Sequence, residues 1–252
     1  MTEMPEVVLI TGGGGGLGSA IAEAFAADNK LVIVADINAG SAQRTVDEIV
    51  GKGRRAVSWI VDVTNPDHVI EAIDRTVRDY NRLDILVNSA GIQLNCASVD
   101  LSPADYLRVL DVNLHGTVFC CLAAGRQMIR QGGGTIINLT SVASAFGWPR
   151  RMPYGITKAG VASLTRSLAI EWAPHNVRVV AIAPGYCATD LLRRAYEAGH
   201  LKVDAVLGEI PQGRLGDPSE VARLAVFLAS PAAAYITGQE IRIDGGFSVY
   251  KL

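Results

Sequence analysis

Short runs of β-branched and aliphatic residues alternate along this chain with longer stretches whose apolar positions recur at helical spacing. The runs predict strands at Val7–Ile10, Leu31–Ala35, Ala56–Val61, Ile85–Val87, Thr135–Leu139, Val177–Ile182 and Glu240–Ile243. Their central positions are almost all apolar, as in strands buried on both faces. The stretches between them predict helices at Leu17–Ala27, Ser41–Val50, Pro66–Tyr80, Pro103–Arg130, Tyr154–Ala173 and Ser219–Ala229. Pro66, Pro103 and Pro218 fall in first turns, where a missing N–H costs nothing. Strand and helix in regular succession imply right-handed βαβ units. The expected fold is therefore α/β: a doubly wound, mostly parallel seven-stranded sheet with helices on both faces, binding ligands outside the strand C-termini. Gly185–Gly216 departs from this alternation, and a substrate lid is expected around residues 186–216.

At 252 residues, 49% of them hydrophobic, the chain can bury one large core, and a single domain over 1–252 is expected. No repeat, low-complexity tract or linker interrupts it. Lys and Arg total 23 against 25 Asp and Glu, so the basic excess needed for a nucleic-acid partner is missing. The run Val7–Ile10 is too short for a signal-peptide core, and no uninterrupted apolar run approaches the roughly 18 residues of a membrane span. A soluble, cytoplasmic protein without a membrane partner is expected. Cys96, Cys120, Cys121 and Cys187 have neither a disulfide framework nor paired metal-ligand spacing, and read as reduced thiols with no metal.

The first strand runs into Thr11-Gly12-Gly13-Gly14-Gly15-Gly16-Leu17-Gly18 and then an amphipathic helix. Glycine there permits a sharp turn, close approach of a pyrophosphate to the helix N-terminus, and close helix–sheet packing. Twenty residues past Gly16, Asp36 is placed to accept from ribose hydroxyls, and its charge would repel a 2′-phosphate. Ile37 supplies no compensating cation, so NAD is favoured over NADP. Asp36 could instead cap the helix that starts near Ser41. Asp62-Val63 and Asn88-Ser89-Ala90-Gly91 follow the third and fourth strands and could line the adenine and ribose pocket, although each alone suits a turn. Tyr154 and Lys158 are one helical turn apart, which lets an ammonium favour the phenolate of a tyrosine whose free pKa is about 10. Ser141 ends the fifth strand at the same edge and can hydrogen-bond a reacting oxygen.

Together these motifs resemble the classical short-chain dehydrogenase/reductase family over essentially the whole chain. The glycine motif, Asp62, Asn88 to Gly91, Asn113, Ser141, Tyr154 with Lys158, Pro184-Gly185 and Thr189 fall in the family's order and spacing. The resemblance implies a Rossmann fold, with Tyr154 as general acid/base and Lys158 lowering its pKa and holding the nicotinamide ribose. It further implies that Ser141 orients substrate, that Asn113 fixes a water in a proton relay, and that Pro184 to Thr189 wraps the nicotinamide. Ser89 and Thr140 depart from the family pattern, which usually has Asn and Ser there. The C-terminal segment from Ile236 to Gly246 is also similar to the family's, and implies a homotetramer.

The implied activity is hydride transfer between NAD and a secondary alcohol: a polyol, sugar, sugar acid or hydroxy acid. Two alternatives stand beside it: reduction of 3-oxoacyl thioesters with NADPH, and a non-catalytic dinucleotide sensor. Candidate substrate residues are Gln93, Ser144, Trp148, Arg150, Arg151 and Tyr186, with Leu191 to Ile210 as lid. Arg150 or Arg151 could bind a substrate anion; the competing expectation is that both are surface charges. Cys187 is read as a packing residue.

Overall fold

A computed structural model describes residues 5–189, 192, 197 and 203–250. Seven strands, β1 (Val7–Thr11), β2 (Leu31–Asp36), β3 (Ala56–Ile60), β4 (Ile85–Asn88), β5 (Gly134–Leu139), β6 (Val177–Pro184) and β7 (Glu240–Ile243), form one sheet in the order β3-β2-β1-β4-β5-β6-β7. Every pairing is parallel. The order reverses between β1 and β4, which opens a crevice at the strand C-termini. The helices are α1 (Gly16–Ala27), α2 (Ala39–Gly51), α3 (Pro66–Tyr80), α4 (Pro103–Leu110), α5 (Gly116–Gln131), α6 (Met152–Trp172), α7 (Val203–Leu207), α8 (Pro218–Ala229) and α9 (Phe247–Tyr250).

Successive strand residues feed opposite cores because strand side chains alternate in direction. Val8, Ile10, Val32, Val34, Val180 and Ile182 lie under α1, α2 and α8, where Phe25, Ile49 and Leu228 meet them. Val7, Leu9, Ile33, Leu86, Ile136 and Val179 lie under α3, α5 and α6, against Ile73, Met128 and Trp172. Each fully buried aliphatic side chain contributes about 2 kcal/mol. A third cluster, Val142, Val206, Ile210 and Phe247, sits above the strand C-termini.

Local signals set the helix starts. Asn38, Asn65, Ser102 and Asp217 each accept from a first-turn N–H, and Pro66, Pro103 and Pro218 follow the last three directly. The strands extend past their apolar runs to Thr11, Asp36 and Asn88, since ladder pairing needs only backbone. The stretch expected as one helix from Pro103 to Arg130 is helical throughout but carries a π turn at Asp111–His115. By length and composition Pro103–Gln131 could cross a membrane, a property not visible in its uninterrupted apolar runs; here Cys120, Cys121, Ala124 and Met128 bury against the sheet.

Candidate active site

The glycine loop joins β1 to α1 in a space that side chains would fill. A Cβ on Gly12, whose φ is +65°, would lie 2.6 Å from Ala90 Cα, and one on Gly18 would lie 2.1 Å from the Gly12 carbonyl oxygen. The loop is thus pressed against the β4 segment on one side and its own helix on the other. The N-cap of α1 is Gly15, which offers no side chain to the first-turn N–H groups. They remain available to an anion, supported by the helix dipole. At the end of β2, Asp36 accepts from Gly14 N–H (3.0 Å) and Asn38 N–H (2.9 Å), which binds the loop to the neighbouring strand. Two carboxylate oxygens carry about four acceptor sites, so Asp36 keeps capacity for hydroxyls. The α2 cap is Asn38, not Asp36. This cradle fits a dinucleotide: an uncapped helix start for the pyrophosphate and a carboxylate for the ribose.

Further along the same edge, Asp62 is in a local turn, its Oδ1 accepting from Thr64 N–H and Oγ1 (2.9 and 2.7 Å). Val63 is buried where α5 begins, and a Cβ on Gly116 would strike it. Asn88 is buried in the sheet: its Nδ2 donates to Asn138 Oδ1 (2.9 Å) and Cys121 Sγ (3.3 Å), while its Oδ1 has no partner. Its side chain therefore braces β4 against β5 and does not face the crevice. Gly91, by contrast, is beside Asn113 and Lys158. At the far strands, β6 ends at Pro184, and Gly185 N–H donates to the Ile243 carbonyl (3.0 Å). Thr189 Oγ1 accepts from Leu192 N–H (3.4 Å). Cys187 is buried, and burial, with Glu220 and Asp217 nearby, pushes its thiol up to about 11, as a packing residue requires. Residues 190–191, 193–196 and 198–202 of the expected lid lie outside the described residues.

Three side chains meet above β5. Ser141 caps a single 3-10 turn after the strand, its Oγ accepting from Ala143 N–H (3.2 Å). In α6, Lys158 Nζ lies 5.5 Å from the Tyr154 ring centroid and donates to the Leu139 carbonyl (2.7 Å). Only 6% of Lys158 is exposed, and burial lowers its pKa to about 8. Burial raises the Tyr154 pKa, and the Ser141 hydroxyl and the Arg151 guanidinium oppose that rise. Arg151 is the N-cap residue of α6. Asn113, in the π turn, is fully buried. It accepts from Ile92 N–H (2.8 Å) and donates to the Ile92 carbonyl (2.9 Å) and to Thr157 Oγ1 (3.3 Å). It fixes the segment after β4 against α6.

The candidate substrate residues separate into two groups. Ser144 donates to the Glu240 carboxylate (2.8 and 3.0 Å), and Arg150 donates to Asn95 Oδ1 (3.1 Å) at the surface. Both side chains are engaged by these partners. Trp148, Tyr186, Gln93 and Arg151 come together. Phe247, which sequence reasoning did not single out, stacks on Trp148 at 5.6 Å and meets Tyr186 edge-on at the same distance. It lies about sixty residues beyond Tyr186, with no motif around it to mark it.

A family model described as enoyl-(acyl carrier protein) reductase matches residues 13–248. The chain is 40% identical to the short-chain reductase protein NovJ of Streptomyces niveus, over 95% of this chain and 93% of that one. It is 36% identical to the 3-oxoacyl-[acyl-carrier-protein] reductase FabG of Thermotoga maritima, covering 97% and 98%. It is also 36% identical to the D-threitol dehydrogenase of Mycolicibacterium smegmatis, covering 97% and 93%. Among solved structures, that of gox2181 superposes with a TM-score of 0.94 at 36% identity, covering 98% and 97%.

Proposed function

The chain belongs to the short-chain dehydrogenase/reductase family of oxidoreductases, and from that premise we propose that it is an NAD-dependent dehydrogenase of a secondary alcohol. The observation that carries the reaction is the meeting of Ser141, Tyr154 and buried Lys158 above β5. The substrate class is a polyol, sugar, sugar acid or hydroxy acid.

A dinucleotide held by the glycine loop and Asp36 would supply the hydride acceptor for the carbinol carbon. The Tyr154 phenolate takes the hydroxyl proton, so that alcohol minus hydride and proton leaves ketone. Ser141 Oγ donates to the same oxygen and holds it against the phenol. Lys158 has spent one of its three donors on Leu139 and keeps two for the phenol and a ribose hydroxyl. Asn113 secures the wall on which both lie. In the reverse direction Tyr154 returns the proton. Asp36 supports NAD, since a 2′-phosphate would meet a carboxylate already fixed by Gly14 and Asn38.

The test is initial-rate absorbance with NAD and NADP against polyols, sugars, sugar acids and hydroxy acids, with Tyr154→Phe as control. NAD-linked oxidation, lost at least 100-fold in Tyr154→Phe, is the expected outcome. Preferential NADPH use on a 3-oxoacyl thioester overturns the reading of Asp36 and places the protein with the FabG-type reductases.

A further inference from the structure

The segment between Ser141 and Tyr154 carries two adjacent arginines, and the backbone sends them to different places. Arg150 has φ +65°, a left-handed conformation uncommon for a residue with a side chain. Its N–H···O partner Cys96 holds its carbonyl (2.9 Å), and its guanidinium reaches the exposed Asn95 contact described above. Arg151, the next residue, caps α6 three positions before Tyr154.

The seat of Arg151 is built. With the Gln93 amide oxygen turned toward it, that oxygen accepts from Arg151 Nη1 (3.0 Å) and Nε (3.1 Å). The Trp148 ring lies under the guanidinium, 5.1 Å from Cζ to centroid, and Trp148 is itself fixed by Tyr186 and Phe247. Stacking and Gln93 define the plane of the guanidinium and leave about three of its five N–H groups unclaimed. Among the described residues no carboxylate is within ion-pair distance of it. Arg151 opens the helix that carries Tyr154, and its guanidinium lies over Trp148, which packs edge-on against Tyr186. A partly buried cation held by a neutral amide and an aromatic face is a site that favours an anion.

We propose that Arg151 is the receptor for a carboxylate on the substrate, with Gln93 and Trp148 positioning it, so that the alcohol is that of a hydroxy acid. This rests on the reading of Ser141, Tyr154 and Lys158 as the oxidoreductase centre. A planar fork of N–H donors matches a carboxylate, and Arg150 takes no part.

Two measurements test it. In the first, kcat/KM is compared for lactate, 3-hydroxybutyrate and gluconate and for their primary amides, in wild type, Arg151→Leu, Arg151→Lys and Arg150→Ala. The acid-to-amide ratio is read, because any change in Tyr154 affects both substrates alike. Arg151→Leu lowers that ratio about 10- to 100-fold for the best acid, Arg151→Lys lowers it less, and Arg150→Ala leaves it unchanged. In the second, tryptophan emission is followed as the protein is titrated with butyrate, butane-1-sulfonate or butylphosphonate. Saturable binding, strongest for butyrate and absent in Arg151→Leu, is expected. An acid-to-amide ratio that Arg151→Leu does not change overturns the proposal, even where Tyr154-dependent oxidation of neutral alcohols succeeds. Preference for the sulfonate or phosphonate overturns the choice of carboxylate. Arg151-dependent butyrate binding without oxidation of any alcohol leaves the anion site standing and rejects the dehydrogenase reading instead.

Discussion

Lys158 is held in the folded state at a cost set by the burial of its charge. Its pKa falls from 10.5 to about 8, so between those values the unfolded chain holds a proton that the folded chain has released. Stability therefore rises with pH through that window, and below about pH 8 the penalty is present in full. Lys158→Met is expected to raise apo-protein stability at pH 7 by up to about 3 kcal/mol, at 1.36 kcal/mol per pKa unit, less about 1 kcal/mol for the orphaned Leu139 carbonyl. Urea denaturation at pH 7 and pH 10 checks this: the gain shrinks at the higher pH while dehydrogenase activity is lost at both. A gain that is the same at both pH values would mean that packing, not charge burial, accounts for it.

The glycine loop makes the element-scale prediction. A Cβ on Gly18 would overlap the Gly12 carbonyl, whereas Gly16, with φ +57°, faces open space. Gly16→Ala therefore costs only the left-handed strain of about 1–2 kcal/mol. Gly18→Ala pushes α1 off its loop, and is expected to lower Tm further and to remove dinucleotide binding, as thermal melts with and without NAD would report. Close packing of the glycine stretch on its helix was legible in the sequence, since strand, glycines and helix are contiguous. So were the helix starts at Pro66 and Pro103, because a proline in the first turn is a local signal. The π turn was not: Asp111 to His115 is helical by propensity, and the contacts of Asn113 in that turn with Ile92 and Thr157 are tertiary. Nor was the inward turn of Asn88, which depends on Asn138, fifty residues away.

At the scale of the molecule, one sheet buries both faces and leaves apolar side chains outward elsewhere. Tyr235 is fully exposed, and Val249 and Ile170 are 71% and 79% exposed. Isolated exposed residues of this kind are common. The family resemblance implies a homotetramer, for which light scattering would return about four times the 26.7 kDa chain mass. Val249→Asp is expected to lower that mass, and a wild-type monomer would reject the assembly.

What the sequence determined by itself is whatever neighbours along the chain decide: strand and helix order, caps, the glycine turn, Asp36 at the end of β2, and the one-turn spacing of Tyr154 and Lys158. What only the tertiary structure decided are pairings across long separations. Arg150 and Arg151 were equivalent as letters, and the left-handed backbone at Arg150, held by Cys96, put one at the surface and the other beside Gln93. Ser144 was drawn to Glu240, and Phe247 was brought to Trp148, by strand order and not by any local pattern. Local rules act over a few residues. Direction and partner are set by packing of the whole sheet, which no short window contains.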